Sequence, residues 1–426
     1  MQFGLLYCIY FLSYLRYTKT KSKRSTAHSA ALPLILRDNQ MNKIILILIA
    51  LFFSIQVFCQ DFGKVETIKI YSKELNQNRE FFIYTPSYYQ ESKWQFYNVI
   101  YVFDAQTKQF FDLTHSLLPF ISKEVDNPYI VVGLIATYDE ELNYGRNDDL
   151  LPKPINVKNS QFFGHGNSAN FLKYVKKELI PYIESKYRTL SKRIAIGHSL
   201  SASFVISTLL EDNNIFDSYI SISPNFAYDK DRLAEEFIDF DFNALKKQKY
   251  IYISNADEGI EFWKNWKPAR EKVYKFLNEK KPDSIQFKID NLSNYNHWTT
   301  FVPGLINGLK SYHSYLENLP EKSYKTTISV KVPNEMDEVY ITGNQEELGN
   351  WDESKIKMNR ISELERSITL NLKANSQIRF TRGSTETEAV LKEYDLEYLF
   401  QIPISPSKSH NYKFEIVNWK DMMEKN

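Results

Sequence analysis

The pattern of apolar and polar positions changes once along the chain. Residues 61–318 alternate short apolar runs with amphipathic segments of helical period, a rhythm typical of an α/β sheet. From about residue 322, apolar and polar residues alternate with period two between Asn, Gly and Asp turns, which predicts a small β-sandwich. We therefore expect an α/β domain over 61–318 and an all-β sandwich domain over 322–426.

Individual elements follow from the same periodicities. Apolar runs in the first block predict strands at 99–103, 129–134, 193–196, 219–222, 250–254 and 285–289. Helical spacing predicts helices at 168–187, 200–210, 269–276 and 305–316. Pro181 is expected to kink the first of these helices. In the second block, strands are predicted at 326–332, 338–342, 367–372 and 377–381.

The first sixty residues have the composition of a targeting sequence. From Met41 a short basic start is followed by an unbroken apolar stretch at 44–53 and then by polar residues, which predicts a signal peptide over 41–60. Residues 1–40 are then an upstream extension. The apolar stretch is short for a membrane span, so we expect a secreted or periplasmic protein without a stable span. The alternative is a lipoprotein acylated at Cys59, but the small residues usual before such a cysteine are missing.

Charge and cysteine content exclude several classes of function. The chain has 53 basic and 52 acidic side chains, so no nucleic-acid partner is expected. Its two cysteines, Cys8 and Cys59, both precede the predicted cleavage region. The mature chain would therefore have no disulfide framework, cysteine zinc site or thiol nucleophile.

A candidate nucleophile lies between a predicted strand and a predicted helix. Residues 194–201 read IAIGHSLS, and strand–Gly-x-Ser–helix is the nucleophile elbow of α/β-hydrolases, which exposes a serine hydroxyl. Ser199 is therefore the candidate nucleophile, and the backbone N–H of Leu200 is a candidate oxyanion donor. Ser201 occupies the position where the pattern has its last glycine, which weakens the motif.

The base must follow the nucleophile in this fold, and two histidines remain downstream in the block. His297 follows the strand 285–289 in a polar loop, whereas His313 lies in a helical pattern that favours a structural role. The acid that orients the imidazole is expected after the strand 250–254, where Asp257 and Glu258 are adjacent. The offset from the strand end favours Glu258, with Asp257 as the alternative.

A second oxyanion donor is expected in the turn after the strand 99–103. Asp104, Ala105 and Gln106 occupy this turn, and the amide of Ala105 or Gln106 would serve. A serine mechanism of this kind requires no metal ion or organic cofactor.

With these residues in view, the block 62–318 resembles the esterase D-related "putative esterase" family, which includes siderophore, feruloyl and acetyl-xylan esterases and formylglutathione hydrolases. The resemblance rests on the elbow and on 101–105 (YVFDA), 145–152 (GRNDDLLP), the helix over 171–189 and 221–225 (SISPN). It implies the α/β-hydrolase fold, with Ser199 as nucleophile, His297 as base and Glu258 as acid. Two departures stand out, since Ala105 and Ser201 each replace a glycine of the family.

The second block has a resemblance of its own. Residues 339–352 (VYITGNQEELGNWD) are similar to the start of family 20 starch-binding modules, and 378–384 (IRFTRGS) to a later strand. In that family a tryptophan stacks on a glucose ring, and Trp351 falls on the matching position. The second sugar-stacking tryptophan is missing around Thr385. The resemblance implies a polysaccharide partner, and a sandwich with another ligand or none stays open.

The leading hypothesis is a serine esterase that hydrolyses carboxylic esters through an acyl-enzyme, on an acylated carbohydrate or a siderophore. The alternative is a catalytically degenerate hydrolase that acts as a glycan- or surface-binding protein, which the two glycine replacements favour. Transfer of the acyl group to a sugar hydroxyl instead of water also stays open.

Overall fold

The computed structural model of the chain describes residues 63–121, 128–136, 139–141, 145–155, 166–258, 263, 265–393 and 401–423. The predicted upstream extension, the signal peptide and Cys59 lie outside the described residues. Residues from Asp61 to Asn426 form one compact unit. Within the described part of the chain, none of the helices combines the length and the apolar character that a membrane span requires.

The first block alternates strands and helices. In chain order its elements are β1 (Lys64–Ser72), β2 (Gln77–Thr85), β3 (Tyr97–Val102), α1 (Lys108–Ile121), β4 (Tyr129–Leu134), α2 (Arg146–Leu150), α3 (Ser168–Tyr174), α4 (Ile180–Lys186), β5 (Thr189–His198), α5 (Leu200–Glu211), β6 (Ser218–Ile222), α6 (Tyr228–Asp239), β7 (Lys249–Asn255), α7 (Trp266–Lys280), β8 (Ile285–Asn291) and α8 (Phe301–Glu317). A π-helical turn over Val175–Leu179 joins α3 to α4, and a short 3₁₀ turn over Phe242–Ala244 precedes β7.

The eight strands form one twisted sheet in the order β1-β2-β4-β3-β5-β6-β7-β8. The pairs β1–β2 and β2–β4 are antiparallel, and all the other neighbours are parallel. The carboxyl ends of β5, β6, β7 and β8 therefore meet at one edge, where open α/β sheets bind their ligands. This arrangement confirms the α/β-hydrolase fold expected from the sequence.

Helices cover both faces of the sheet and enclose two layers of core. On one face, helices α3 to α7 bury apolar side chains such as Phe171, Val205 and Val273. On the other, α1 and α8 bury Phe111 and Leu305. The strands that run between these layers are buried on both sides, which explains why they appear in the sequence as continuous apolar runs.

The structure differs from the predicted elements in two ways. The hairpin β1–β2 and the helices α1, α2 and α6 were not predicted. For β1 the reason is that it is a half-exposed edge strand with polar residues along its length. The predicted helix 168–187 is interrupted, but the irregular turn precedes Pro181. Proline has no N–H to bond back to the previous turn, so the backbone before it adopts the wider π-helical turn.

The second block is the all-β sandwich expected from the sequence. Its strands are β9 (Ser323–Lys331), β10 (Tyr340–Gly343), β11 (Ile356–Lys357), β12 (Asn359–Arg360), β13 (Glu365–Lys373), β14 (Ser376–Thr381), β15 (Ala389–Leu391), β16 (Ile402–Ile404) and β17 (Asn411–Trp419). One sheet has the order β11-β10-β14-β16 and the other β12-β13-β9-β17-β15. Inward-facing side chains such as Ile341, Phe380 and Trp419 form a separate core between them.

The segment between β2 and β3 joins the two blocks. The Trp94 ring packs on the core of the sandwich, with its centroid 4.7 Å from that of Phe414. The amide of Phe96 donates a hydrogen bond to the Ser405 hydroxyl at 2.9 Å. The sandwich is therefore packed against the α/β block and is not held by a free linker alone.

Candidate active site

Ser199 lies at the sharp turn between β5 and α5, at the carboxyl edge of the sheet. Its backbone has φ 61° and ψ −120°, a strained conformation for a residue with a side chain. The Ser199 amide donates to the carbonyl of Ile222 on β6 at 2.9 Å, which ties the turn to the neighbouring strand. Strand, turn and helix together have the geometry that the elbow motif of the sequence predicts.

The two small residues that flank Ser199 make the turn geometrically feasible. A Cβ on Gly197 would lie 2.4 Å from the carbonyl oxygen of Ser201, so the close approach of helix to strand requires glycine here. Ser201 is fully buried, and its hydroxyl accepts from the His198 amide at 3.0 Å and donates to the His198 carbonyl at 2.9 Å. The serine that replaces the last glycine of the motif is thus a hydrogen-bonded part of the elbow.

His297 faces the serine from the loop between β8 and α8. Its Nε2 lies 2.8 Å from Ser199 Oγ, within hydrogen-bond reach. Three tryptophans contact the imidazole: Trp263 stacks on it at 4.8 Å, while Trp266 and Trp298 meet it edge-on at 5.1 and 5.5 Å. The ring is 2% exposed, so its orientation is held by packing as well as by hydrogen bonds.

The other downstream histidine has a different environment. His313 lies within α8, and its ring packs edge-on against Tyr129 at 5.8 Å and Tyr312 at 5.6 Å. Burial lowers its pKa. These contacts give His313 a packing role in the core.

A third histidine, which sequence reasoning missed, supports the loop that carries His297. His198 immediately precedes Ser199, and its Nε2–H donates to the carbonyl of His297 at 2.8 Å. Burial lowers the pKa of His198 to about 4, and the neighbouring His297 ring contributes to the shift. The imidazole is therefore neutral near pH 7, with its proton on Nε2. Its position next to Ser199 in the sequence was the available signal.

Of the two adjacent carboxylates, Glu258 is the one that faces His297. Its Oε1 lies 3.4 Å from His297 Nδ1 and accepts the Ala256 amide at 3.1 Å, while its Oε2 pairs with Arg270 at 2.5 Å. The Glu258 side chain is fully buried. Asp257 is exposed, and its amide donates to a loop carbonyl. The structure thus brings Ser199, His297 and Glu258 together and leaves Asp257 outside this group.

The pKa of Glu258 reflects two opposed effects. Burial by itself raises the pKa of this carboxyl group. Hydrogen bonds with His297, Ser223 and the Ala256 amide, together with the charge of Arg270, outweigh burial and leave the pKa below its ordinary value. Glu258 is therefore a carboxylate at neutral pH, the form that stabilises a protonated imidazole.

The oxyanion donors require one correction. The Ala105 amide donates to the carbonyl of Leu134 on β4 at 2.8 Å, so the prediction that this amide could serve is wrong. The backbone amide of Gln106 therefore remains the candidate for the second oxyanion donor in this turn. The amide of Leu200 begins α5, where backbone N–H groups have no partner within the helix.

An arginine holds the turn that carries Gln106. Arg146, the first residue of α2, makes a bidentate contact with Asp104, at 2.8 Å from Nε to Oδ1 and 2.7 Å from Nη2 to Oδ2. Asp104 adopts φ 64° and also accepts from the Gln106 side chain at 2.8 Å. The segment 145–152, which carried part of the family resemblance, thus supports the turn that contains Asp104 and Gln106.

In the sandwich, Trp351 lies in the loop after β10 and is half-buried. The Arg379 guanidinium lies 5.1 Å from the centroid of its ring, a cation–π arrangement that packs one side of the indole. Thr385 lies in the region where the starch-binding family has its second sugar-stacking tryptophan. Its hydroxyl donates a hydrogen bond to the Glu353 carboxylate at 2.8 Å. In the described part of the chain, no group of three or more His, Cys, Asp or Glu side chains is arranged to hold a metal ion.

Comparisons with known proteins agree with the two blocks. Residues 72–310, more than half of the chain, match the family model described as "Putative esterase", and residues 323–391 match the "Starch binding domain" model. A crystal structure of an IroE-like serine hydrolase from Shewanella oneidensis superposes with a TM-score of 0.51 at 24% identity, covering 59% of this chain and 80% of that one. At this level of identity, the superposition supports a shared fold.

Two proteins of Bacillus subtilis are similar in sequence. Ferri-bacillibactin esterase BesA is 30% identical over 110 residues, which are 24% of this chain and 38% of that protein. The uncharacterized protein YjcH is 28% identical over 172 residues, which are 38% of this chain and 62% of that protein. The matches thus span less than two thirds of either relative. Because the family model covers most of the α/β block, the chain belongs to this esterase family, with a starch-binding-type domain at its carboxyl end.

Proposed function

We propose that the protein is a serine esterase that cleaves carboxylic esters through an acyl-enzyme. The observation that carries the proposal is the 2.8 Å approach of Ser199 Oγ to His297 Nε2, with the Glu258 carboxylate on the other side of the imidazole. Nucleophile, base and orienting carboxylate are the three groups that serine catalysis requires. The strained turn at Ser199 and membership of the esterase family support the same conclusion.

The mechanism follows from these contacts. His297 Nε2 takes the hydroxyl proton as Ser199 Oγ attacks the ester carbonyl, and the resulting oxyanion accepts hydrogen bonds from the Leu200 and Gln106 amides. The tetrahedral intermediate collapses, the imidazolium returns the proton to the leaving alcohol, and the acyl group stays on the serine. Water, which gives a proton to His297, then attacks the acyl-enzyme, and the imidazolium returns the proton to Ser199 Oγ as the acid is released. Glu258 stabilises the imidazolium in both steps.

For the substrate, we propose an ester of an acylated carbohydrate or of a siderophore. The similarity to a ferri-bacillibactin esterase supports the siderophore, and the match to a starch-binding model supports the carbohydrate. We propose that the substrate is met outside the cytoplasm, because the sequence predicts a signal peptide over 41–60 and a secreted or periplasmic location.

A second proposal concerns the sandwich, which would bind a polysaccharide through Trp351. The match of residues 323–391 to the starch-binding model favours it, and stacking of a sugar on the indole would use the face not packed by Arg379. Co-sedimentation with insoluble starch tests it. Loss of binding in Trp351→Ala is expected, and absence of binding in the wild type would refute it.

Hydrolysis of short p-nitrophenyl esters tests the enzyme proposal. Ser199→Ala and His297→Gln should lose nearly all turnover, whereas Ser207→Ala removes a hydroxyl from the same helix, where it bonds only to the preceding turn, and should keep it. Glu258→Gln should lose far more activity than Asp257→Asn, its exposed neighbour. A folded wild type without turnover would instead favour the glycan-binding alternative.

A further inference from the structure

We propose that Arg270 is a positioning residue for Glu258: it pairs with one oxygen of the carboxylate and so fixes which oxygen faces His297. The inference rests on the proposed serine esterase function. It concerns a residue that neither the elbow motif nor the family resemblance singled out.

Helix α7 delivers two contacts to the base and its acid. Trp266 and Arg270 are four residues apart, so their side chains lie on one face of the helix. The Trp266 ring meets the His297 imidazole edge-on at 5.1 Å, and Arg270 Nη1 contacts Glu258 Oε2 at 2.5 Å. The side chains of Arg270 and Glu258 are 10% and 0% exposed. One helical face therefore supports both members of the pair.

The two oxygens of Glu258 have separate partners. Oε2 is taken by Arg270, while Oε1 accepts the Ala256 amide at 3.1 Å and faces His297 Nδ1 at 3.4 Å. A carboxylate fixed at one oxygen by a guanidinium and at the other by a backbone amide has little freedom to rotate. Arg270 thus directs Oε1 at the imidazole, and its loss would free the carboxylate to turn away.

The charge of Arg270 also favours the ionised form of Glu258, beside the hydrogen bonds of this carboxylate with His297, Ser223 and the Ala256 amide. A fully buried carboxyl group without a cation favours its neutral form, and a neutral Glu258 would not stabilise a protonated imidazole. Tyr274, also on α7, interacts electrostatically with Arg270 and Glu258. Burial raises the pKa of Tyr274 far above its ordinary value, so this side chain is neutral. The loop before α8 contributes His297, and the elbow contributes the neutral His198, which faces His297. Among the described residues, the permanently charged side chain in contact with Glu258 is that of Arg270.

Loss of Arg270 should change the acid limb of the pH profile, which is the decline in the rate of Ser199 labelling at low pH. In Arg270→Gln, Glu258 loses the positive charge that favours its ionised form, so it should take up a proton at higher pH. The limb should move with it. It should shift upward by about one pH unit or more, the usual size of an effect from an opposite charge at contact distance. At pH values below the limb, a shift of one pH unit should lower the rate about tenfold.

The experiment measures the second-order rate of labelling by a fluorophosphonate between pH 5 and 9, using the full-length protein. Arg270→Lys keeps the charge and should keep the limb near its wild-type position, with a lower rate. Lys272→Gln is the matched control, since it removes an exposed charge from the same helix, where it pairs with Asp231 and Glu235. The acid limb of Lys272→Gln should coincide with that of the wild type.

A double variant guards against a folding defect. Arg270→Gln leaves a buried carboxylate unpaired, which destabilises proteins, whereas Glu258→Gln/Arg270→Gln removes both charges. If Arg270 acts through Glu258, the limb of the double variant should coincide with that of Glu258→Gln alone.

The outcomes separate this inference from the proposed function. A wild type that is not labelled at Ser199 would overturn both. A labelled wild type whose limb does not move in Arg270→Gln, or a double variant that differs from Glu258→Gln alone, would overturn only the role of Arg270. A merely structural arginine would lower the yield of folded protein in both Arg270→Gln and Arg270→Lys and leave the limb unchanged.

Discussion

The buried imidazole of His198 links the stability of the elbow to pH. Burial lowers its pKa from the ordinary 6.5 to about 4, and the adjacent His297 adds to the shift. Between these values the unfolded chain binds a proton at His198 that the folded chain does not bind. Stability is therefore lost as the pH falls from 6.5 towards 4, and this group has little effect above that range.

The expected size follows from the two pKa values. Between pH 7 and pH 5, a histidine that titrates at 6.5 when unfolded and near 4 when folded lowers the free energy of unfolding by about 2 kcal/mol. His198→Gln removes the titrating group and keeps a side chain able to donate a hydrogen bond. Whatever its stability at pH 7, the variant should lose about 2 kcal/mol less than the wild type on going to pH 5.

Urea unfolding followed by far-UV circular dichroism at pH 7, 6 and 5 measures this difference. All other titrating groups are common to both proteins, so their effects cancel in the comparison. His410→Gln, a substitution of an exposed histidine, is the control and should behave as the wild type does. If His198→Gln loses as much stability as the wild type between pH 7 and 5, the imidazole is not held buried and neutral.

Three further substitutions test other parts of the structure. Gly197→Ala should abolish ester hydrolysis, since its Cβ would lie 2.4 Å from a backbone oxygen, and an active, folded variant would contradict the elbow geometry. Ser201→Ala loses two hydrogen bonds to the His198 backbone and should lower the free energy of unfolding by about 1–3 kcal/mol in urea while keeping fluorophosphonate labelling. Trp94→Ala should destabilise the sandwich by about 2 kcal/mol through lost packing on Phe414, seen by calorimetry as a lower transition temperature; an unchanged transition would argue against the joined blocks.

Much of the fold was predictable because its signals are local. Parallel strands buried on both faces appear as continuous apolar runs, and the elbow adds a strand–glycine–serine–helix sequence that few other structures share. Ser199 and His297 follow from that motif and from chain order. Glu258 follows only from its offset from the end of β7, and the structure distinguishes it from Asp257 by full burial.

The rest depends on contacts distant in sequence. Arg270 looks like one more charged residue on an amphipathic helix, and nothing in the sequence shows that it reaches the acid. The sequence made the Ala105 amide a reasonable oxyanion donor. In the structure, β3 pairs with β4, and this amide donates a hydrogen bond to the Leu134 carbonyl at the end of β4. The carbonyl that His198 contacts belongs to a loop 99 residues away. Such partners are set by sheet register and helix docking.

The central claim is that Ser199 is the nucleophile, and covalent labelling tests it most directly. The full-length protein would be treated with a fluorophosphonate, digested, and the modified residue identified by mass spectrometry, with Ser199→Ala in parallel. The account predicts a single phosphonylated site on the peptide that carries Ser199, and no labelling of the variant. Labelling that persists in Ser199→Ala, or a folded wild type that is not labelled, would contradict the account.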